Sequence, residues 1–145
     1  MNVKIKKLNK NAIIPTRGSD SAAGYDLYAC TGTVTIIPPH QTVKIATGLA
    51  IELPEDYFGA IFARSGLATN QGLRPSNCVG VVDSDYRGNV IVALHNDTDE
   101  PQTINPMERI AQLVVMPYLA VNFTEVEDLS NTNRGEDGFG STGVN

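Results

Sequence analysis

Cysteine is scarce in this chain, with two among 145 residues. Cys30 and Cys78 cannot build a disulfide framework, and neither lies in a Cys-x-x-Cys pair. Together with His40 and His95 they lack the spacing of a zinc site, so two buried, reduced thiols are expected. Long apolar runs are also missing. No uninterrupted stretch approaches the ~20 residues that a membrane span needs. The charged N-terminus is not followed by the hydrophobic run or small-residue cleavage site of a secretory signal. A cytoplasmic protein without a membrane partner is therefore expected. Lysine disappears after Lys44, which leaves Arg64, Arg74, Arg87, Arg109 and Arg134 to face all but two of the 16 acids. The net charge is −5. Broad nucleic-acid binding needs basic surface to displace counterions, so nucleic acid is not an expected partner.

What remains is the composition of a globular protein, 41% hydrophobic and 19% charged, which excludes disorder and collagen-like structure. The length suits a single domain. Thirteen Gly and eight Pro interrupt the chain at about one residue in seven, leaving little room for long helices and favouring short strands joined by turns. From Val43 to Leu53 the odd positions Val43, Ile45, Leu49, Ile51 and Leu53 are apolar while Lys44 and Glu52 point the other way, the period of a half-buried strand. Val3 to Ile5, Thr33 to Ile37, Tyr57 to Ala63, Val90 to Leu94 and Val121 to Val126 also read as strands, and Arg109 to Met116 as a central one. Only Gly66 to Gln71 has a helical pattern. Residues 130–145 are rich in Gly, Ser, Thr and Asn, which predicts a mobile arm. The expected fold is an all-β sandwich or distorted barrel over residues 1–129, with one short helix, followed by the arm at 130–145.

Four internal segments place polar residues where a simple core would not want them. Ala23-Gly24-Tyr25-Asp26-Leu27 reads on its own as a turn entry. Ala63-Arg64-Ser65-Gly66-Leu67-Ala68 joins a strand to the helical signal. Free backbone N–H groups there, with the Ser65 hydroxyl and the Arg64 guanidinium, suit an anion, and Ser65 suits a helix N-cap equally well. In Gly80-Val81-Val82-Asp83-Ser84-Asp85-Tyr86-Arg87-Gly88, the Asp-x-Asp and later Gly look like a calcium loop. Leu94 stands where that loop needs a bidentate Glu, and the calcium reading fails. Asp83 follows an apolar run, so partial burial is expected, with a need for a partner or a task. Asp85 and Arg87 read as solvated turn charges. In Glu108-Arg109-Ile110-Ala111-Gln112-Leu113, Gln112 is a polar group within an apolar strand, and Glu108 with Arg109 reads as a surface ion pair. The arm adds Arg134-Gly135-Glu136-Asp137-Gly138-Phe139-Gly140-Ser141-Thr142-Gly143. It lacks the Lys and following helix of a Walker A loop. It can be a plain tail, or a segment that offers a stacking ring and a phosphate clamp.

Taken in order, these five segments resemble the five motifs of the trimeric deoxyuridine triphosphatases, the dUTPases, from Ala23 to Gly143. The main departure is Ala63, where the family often has Pro, and Val82 replaces the commoner Ile or Leu. The resemblance implies a jelly-roll-like fold and Mg²⁺-dependent hydrolysis of dUTP to dUMP and pyrophosphate, which cleanses the nucleotide pool and supplies dUMP for thymidylate synthesis. It implies that Asp83 positions the water that attacks the α-phosphorus and that Asp26 reaches Mg²⁺ through bound water. Arg64, Ser65, Gly66 and Gln112 would bind phosphates. Asn77, Gly80 and Val82 would read the base, and Tyr86 would pack under the deoxyribose. Phe139 would cover the uracil, with Arg134, Gly140, Ser141 and Thr142 over the phosphates. It also implies a homotrimer with shared sites, the arm being donated by a neighbour. Competing readings are a related deoxycytidine triphosphate deaminase, a non-catalytic nucleotide-sensing or protein-binding module, and a structural all-β protein with a loose tail.

Overall fold

The structure is a computed structural model that describes residues 1–136 and residue 138. Phe139, Gly140, Ser141 and Thr142 lie outside the described residues. In chain order the strands are β1 (Lys4–Lys7), β2 (Thr16–Arg17), β3 (Tyr25–Tyr28), β4 (Thr35–Ile37), β5 (Thr42–Ala46), β6 (Leu49–Glu52) and β7 (Tyr57–Phe62). The helix α1 (Ser65–Gln71) follows, and then β8 (Leu73–Pro75), β9 (Gly80–Val82), β10 (Ile91–Asn96), β11 (Gln102–Ile104) and β12 (Arg109–Pro117). The largest sheet runs β2-β3-β12-β7-β9, and β5-β10-β8, β1-β6 and β11-β4 complete the architecture. The five-stranded sheet has free ends at β2 and β9, so the all-β expectation is met by an open, sandwich-like arrangement rather than a closed barrel. Among the described residues no helix is long and apolar enough to cross a membrane.

The faces of the sheets enclose one core. Leu27, Ile37, Leu49, Leu94 and Ile104 are fully buried and come from five different strands. Each such side chain contributes about 1.5–3 kcal/mol through the apolar surface it removes from water. β12 is central, pairing with β3 on one side and β7 on the other. Within it Ile110, Ala111 and Leu113 are buried.

Several expectations change on folding. The alternation from Val43 to Leu53 is divided between β5 and β6 by a turn at Thr47-Gly48, where Gly48 has φ +70°. Because that interruption preserves the parity of the apolar positions, the sequence pattern cannot reveal it. Val121 to Val126 forms no strand. Val121 and Phe123 stand 62% and 96% exposed, and among the described residues the stretch pairs with no strand. Cys30 is half-buried and Cys78 is exposed at φ 62°, so only the expectation of free thiols holds.

Candidate active site

The phosphate-type residues converge on the strand rows beside α1. Asp26 on β3 is the register partner of Gln112 on β12, which is in turn the partner of Phe62 on β7. That row ends one residue before Ala63 and Arg64, so pairing alone brings three segments distant in sequence to one place. The Gln112 side-chain amide donates to the Ala63 carbonyl at 2.9 Å, which gives this polar group in an apolar strand its partner. Gly24 makes room for it. A Cβ at position 24 would lie 2.3 Å from Gln112 Oε1.

Arg64 occupies the N-cap position of α1 with extended backbone, and Ser65 is the first helical residue. Ser65 is therefore not the cap. Its exposed hydroxyl remains available, while Arg64 points back across the sheet. Arg64 Nε donates to Asp26 Oδ1 at 2.8 Å and Arg109 Nη1 donates to Asp26 Oδ2 at 3.3 Å. The Asp26 side chain is only 13% exposed, so these pairs compensate a carboxylate largely removed from water. Arg109 thus pairs with Asp26 and not with Glu108, whose Oε2 instead accepts from the backbone and side-chain nitrogens of Asn105. Sequence reading assigns Arg109 no partner beyond its neighbour. The true pairing depends on a register shift between Arg109 and Ala111, for which sequence gives no signal. Arg64, Gly66, Glu108 and Arg109 line a cavity of about 330 Å³.

The nucleoside-type residues lie elsewhere. Asn77, Gly80, Val82, Asp83 and Tyr86 line a second cavity, of about 210 Å³, with Asn89 and Ile91 among the remaining walls. β9 forms one edge of the large sheet through its pairing with β7. A tight turn, closed by Cys78 N–H donating to the Pro75 carbonyl at 3.0 Å, presents Asn77. Past β9 a second turn, Tyr86 N–H to the Asp83 carbonyl at 3.2 Å, sets Asp83 at the cavity mouth. Asp83 is exposed, contrary to expectation, because the buried residue is its neighbour Val82. Arg87 donates to the carbonyls of Ser84 and Tyr86 and so braces the turn, while Asp85 is exposed.

The two cavities share no lining residue. Along the strand row, Asp26 lies three interstrand steps from β9, and Asp83 lies a further four residues along. At about 4.8 Å per step and about 3.3 Å per residue, the gap between the two carboxylates is roughly 15–20 Å. A third cavity, about 390 Å³, is larger than either and apolar, lined by residues such as Val3, Ile5, Ile14, Leu113 and Val115. It lacks the acid, amide and guanidinium groups of the other two. Arg134 lies exposed in the terminal segment, beside a turn in which Gly135 N–H donates to the Thr132 carbonyl at 3.2 Å. Among the described residues no group of three or more His, Cys, Asp or Glu is arranged to hold a metal ion.

Comparison with known proteins places this geometry. A family model described as dUTPase matches residues 10–143. The deoxyuridine 5'-triphosphate nucleotidohydrolase of a Hydrogenobaculum species is 44% identical over 144 residues, covering 99% of each chain. The protein of the same name from Desulfitobacterium hafniense is 48% identical, covering 98% of this chain and 96% of its own. Among solved structures, a Staphylococcus bacteriophage 80alpha dUTPase variant bound to dUpNHpp matches with a TM-score of 0.89 at 30% identity, with 99% of both chains covered. The family match over residues 10–143 and the similarity over nearly the full length show that the chain belongs to the dUTPase family.

Proposed function

We propose that this protein hydrolyses dUTP to dUMP and pyrophosphate by attack of water on the α-phosphorus, and that it does so at a site assembled between chains. The observation that carries the reading is the cavity in which Asn77, Gly80, Val82, Asp83 and Tyr86 converge, in a chain that matches the dUTPase family over nearly its whole length. Its small volume and mixed lining suit a pyrimidine nucleoside better than a purine. The Asn77 amide and the β9 backbone distinguish uracil from cytosine by donor and acceptor pattern, and a close wall rejects the methyl of thymine. Tyr86 forms the floor for the deoxyribose.

Asp83 at the cavity mouth holds a water in line with the α-phosphorus. A carboxylate is a weak base near neutrality, so its contribution is chiefly orientation of that water. Arg64, Ser65, Gly66 and Gln112 bind the phosphates, and Arg134 with the arm residues Phe139, Gly140, Ser141 and Thr142 covers the nucleotide and excludes water. The residues present fit Mg²⁺ in a limited way. Both Asp26 oxygens accept from guanidinium groups, yet a carboxylate has about four lone-pair positions, which leaves room for contact through a metal-bound water. With no protein cage among the described residues, the ion would be held mainly by triphosphate oxygens and water. Mg²⁺ so bound supplies charge neutralisation along the triphosphate.

A shared site follows from the separation of the cavities. A water-positioning group must lie within one water of the atom it serves. The α- and γ-phosphorus atoms are only two bridging oxygens apart, far less than the gap between Asp83 and the Asp26–Arg64 cavity. A second copy closes that gap, and the homotrimer is the arrangement we propose. The terminal segment supports it. Leu119, Val121, Phe123 and Leu129 are 62–96% exposed and flank the acidic Glu125, Glu127 and Asp128. The apolar cavity beside β1, with Lys4, Lys6 and Lys7 along that strand, offers a complementary seat on a neighbouring copy. Residues 130–145 then act as the arm, beyond a body of residues 1–129. Purified protein with Mg²⁺ is expected to release pyrophosphate from dUTP and to leave dCTP, dTTP and UTP nearly untouched. Equal turnover of the four nucleotides would sink the reading, and ammonia release from dCTP would point to a deaminase.

A further inference from the structure

The wall that carries Tyr86 is anchored from a distant turn, and the Asn89 side chain makes the contact nearest the ring. The Tyr86 hydroxyl donates to the backbone carbonyl of Asn89 at 3.0 Å. The phenolic end of the ring lies against Gly88, where an added Cβ would lie 2.3 Å from the Tyr86 hydroxyl oxygen and 2.5 Å from Cζ. The height and tilt of the ring are thus set by where the backbone of residues 88–89 stands. That backbone is fixed by Asn89 itself, whose side-chain oxygen accepts the Gly48 N–H at 3.1 Å.

Gly48 is a firm anchor. It holds φ +70°, a conformation that L side chains rarely adopt, and it is packed so closely against Cys30 and Ala12 that a Cβ would lie 2.8 and 3.0 Å from them. The adjoining residues repeat the attachment. The fully buried Thr47 donates both its N–H and its hydroxyl to the Val90 carbonyl, at 3.0 and 2.8 Å, and Val90 N–H donates to the Leu49 carbonyl at 2.8 Å. The β5–β6 turn therefore holds the cavity wall as a rigid bracket, and the Asn89 amide is its contact nearest the tyrosine.

We propose that Asn89 is a positioning residue for sugar selection, acting through Tyr86. The inference rests on the reading that Tyr86 underlies the deoxyribose. A ring held at fixed height leaves no space for a 2′-hydroxyl, whereas a ring free to settle by a few tenths of an ångström admits one. Rejection of ribose thus depends on the rigidity of the wall as well as on the presence of the aromatic ring.

The test compares kcat/KM for dUTP, UTP and dCTP in wild-type protein, Asn89→Ala, Asn89→Asp and Tyr86→Ala. Because each ratio is taken within one preparation, loss of folded protein cancels from it. Asn89→Ala is expected to lower the dUTP/UTP ratio about tenfold or more, the scale of one lost pocket contact, chiefly by improving UTP. The dUTP/dCTP ratio, set by Asn77 and β9, is expected to hold. Asn89→Asp keeps an acceptor for Gly48 N–H and is expected to restore the dUTP/UTP ratio. An unchanged dUTP/UTP ratio in Asn89→Ala, with a collapsed ratio in Tyr86→Ala, overturns the role of Asn89 and spares the sugar reading. Wild-type protein that accepts UTP as readily as dUTP, or Tyr86→Ala that still rejects it, overturns the sugar reading and the inference with it.

Discussion

Asp83 and Asp26 are both carboxylates inside recognisable motifs, yet the structure gives them opposite surroundings. Asp83 is exposed at the mouth of a cavity, free to hold water. Asp26 is largely buried, with a guanidinium on each oxygen. A carboxylate that acts by orienting water loses its function when made into an amide, while the shape of the pocket survives. Asp83→Asn is accordingly expected to lower kcat by about 10²–10⁴ and to leave the affinity for a non-hydrolysable imido analogue of dUTP nearly unchanged. Steady-state kinetics and equilibrium binding check this, and a near-normal kcat would remove Asp83 from its role. At this scale the residue types of the site were legible in sequence, and their partners were not. Gln112 was identifiable as a polar group needing a partner, but the Ala63 carbonyl that satisfies it comes from another strand. Arg109 was misread because its charge partner lies 83 positions away, across a register that local pattern does not encode.

At the scale of elements, strands were legible where an apolar pattern meets a partner strand, and Val121 to Val126, which has the pattern, forms none. β7 and β12 begin at the expected residues, Tyr57 and Arg109. The Thr47-Gly48 break went unseen because both flanking strands keep the same parity. The β8–β10 pair carries its own electrostatic feature. Arg74 and His95 are register partners, and Arg74 grips Asp97 with two hydrogen bonds of 2.7 and 2.9 Å. The Arg74 guanidinium, by hydrogen bonding and charge, holds the Asp97 carboxyl below its ordinary value of 3.8. A group depressed in the folded state contributes stability above its unfolded pKa and loses it as the pH falls through the folded one. The pair therefore supports the β8–β10 edge at neutral pH and progressively less below about 3.8. Because it is exposed, salt screens it and its contribution is small. Thermal unfolding of wild type and Asp97→Asn is expected to show a modest gap in Tm near neutrality that closes as the solution is acidified or salted. A gap that widened in acid would contradict the assignment.

At the scale of the molecule, charge is distributed by function rather than by sum. The net charge of −5 is ill suited to a polyanionic substrate, but Arg64 and Arg109 set two guanidinium groups beside one cavity, each also paired with Asp26. A single chain nevertheless separates the two groups, with Asp83 at one cavity and Arg64 at the other. If a working site takes its nucleoside wall from one copy and its phosphate cavity from another, two differently damaged chains can complement each other. Asp83→Asn and Arg64→Ala proteins should each be nearly inactive alone. After subunit exchange at equal amounts, random assortment leaves about a quarter of sites with both wild-type parts, so about a quarter of wild-type turnover should return. Exchange is verified independently by mass spectrometry of isotope-labelled subunits. A site contained within one chain predicts no recovery at any mixing ratio, since every chain then carries one lesion. Recovery that rises with exchange and saturates near a quarter therefore distinguishes a site built between copies from one in which the two cavities belong to separate tasks.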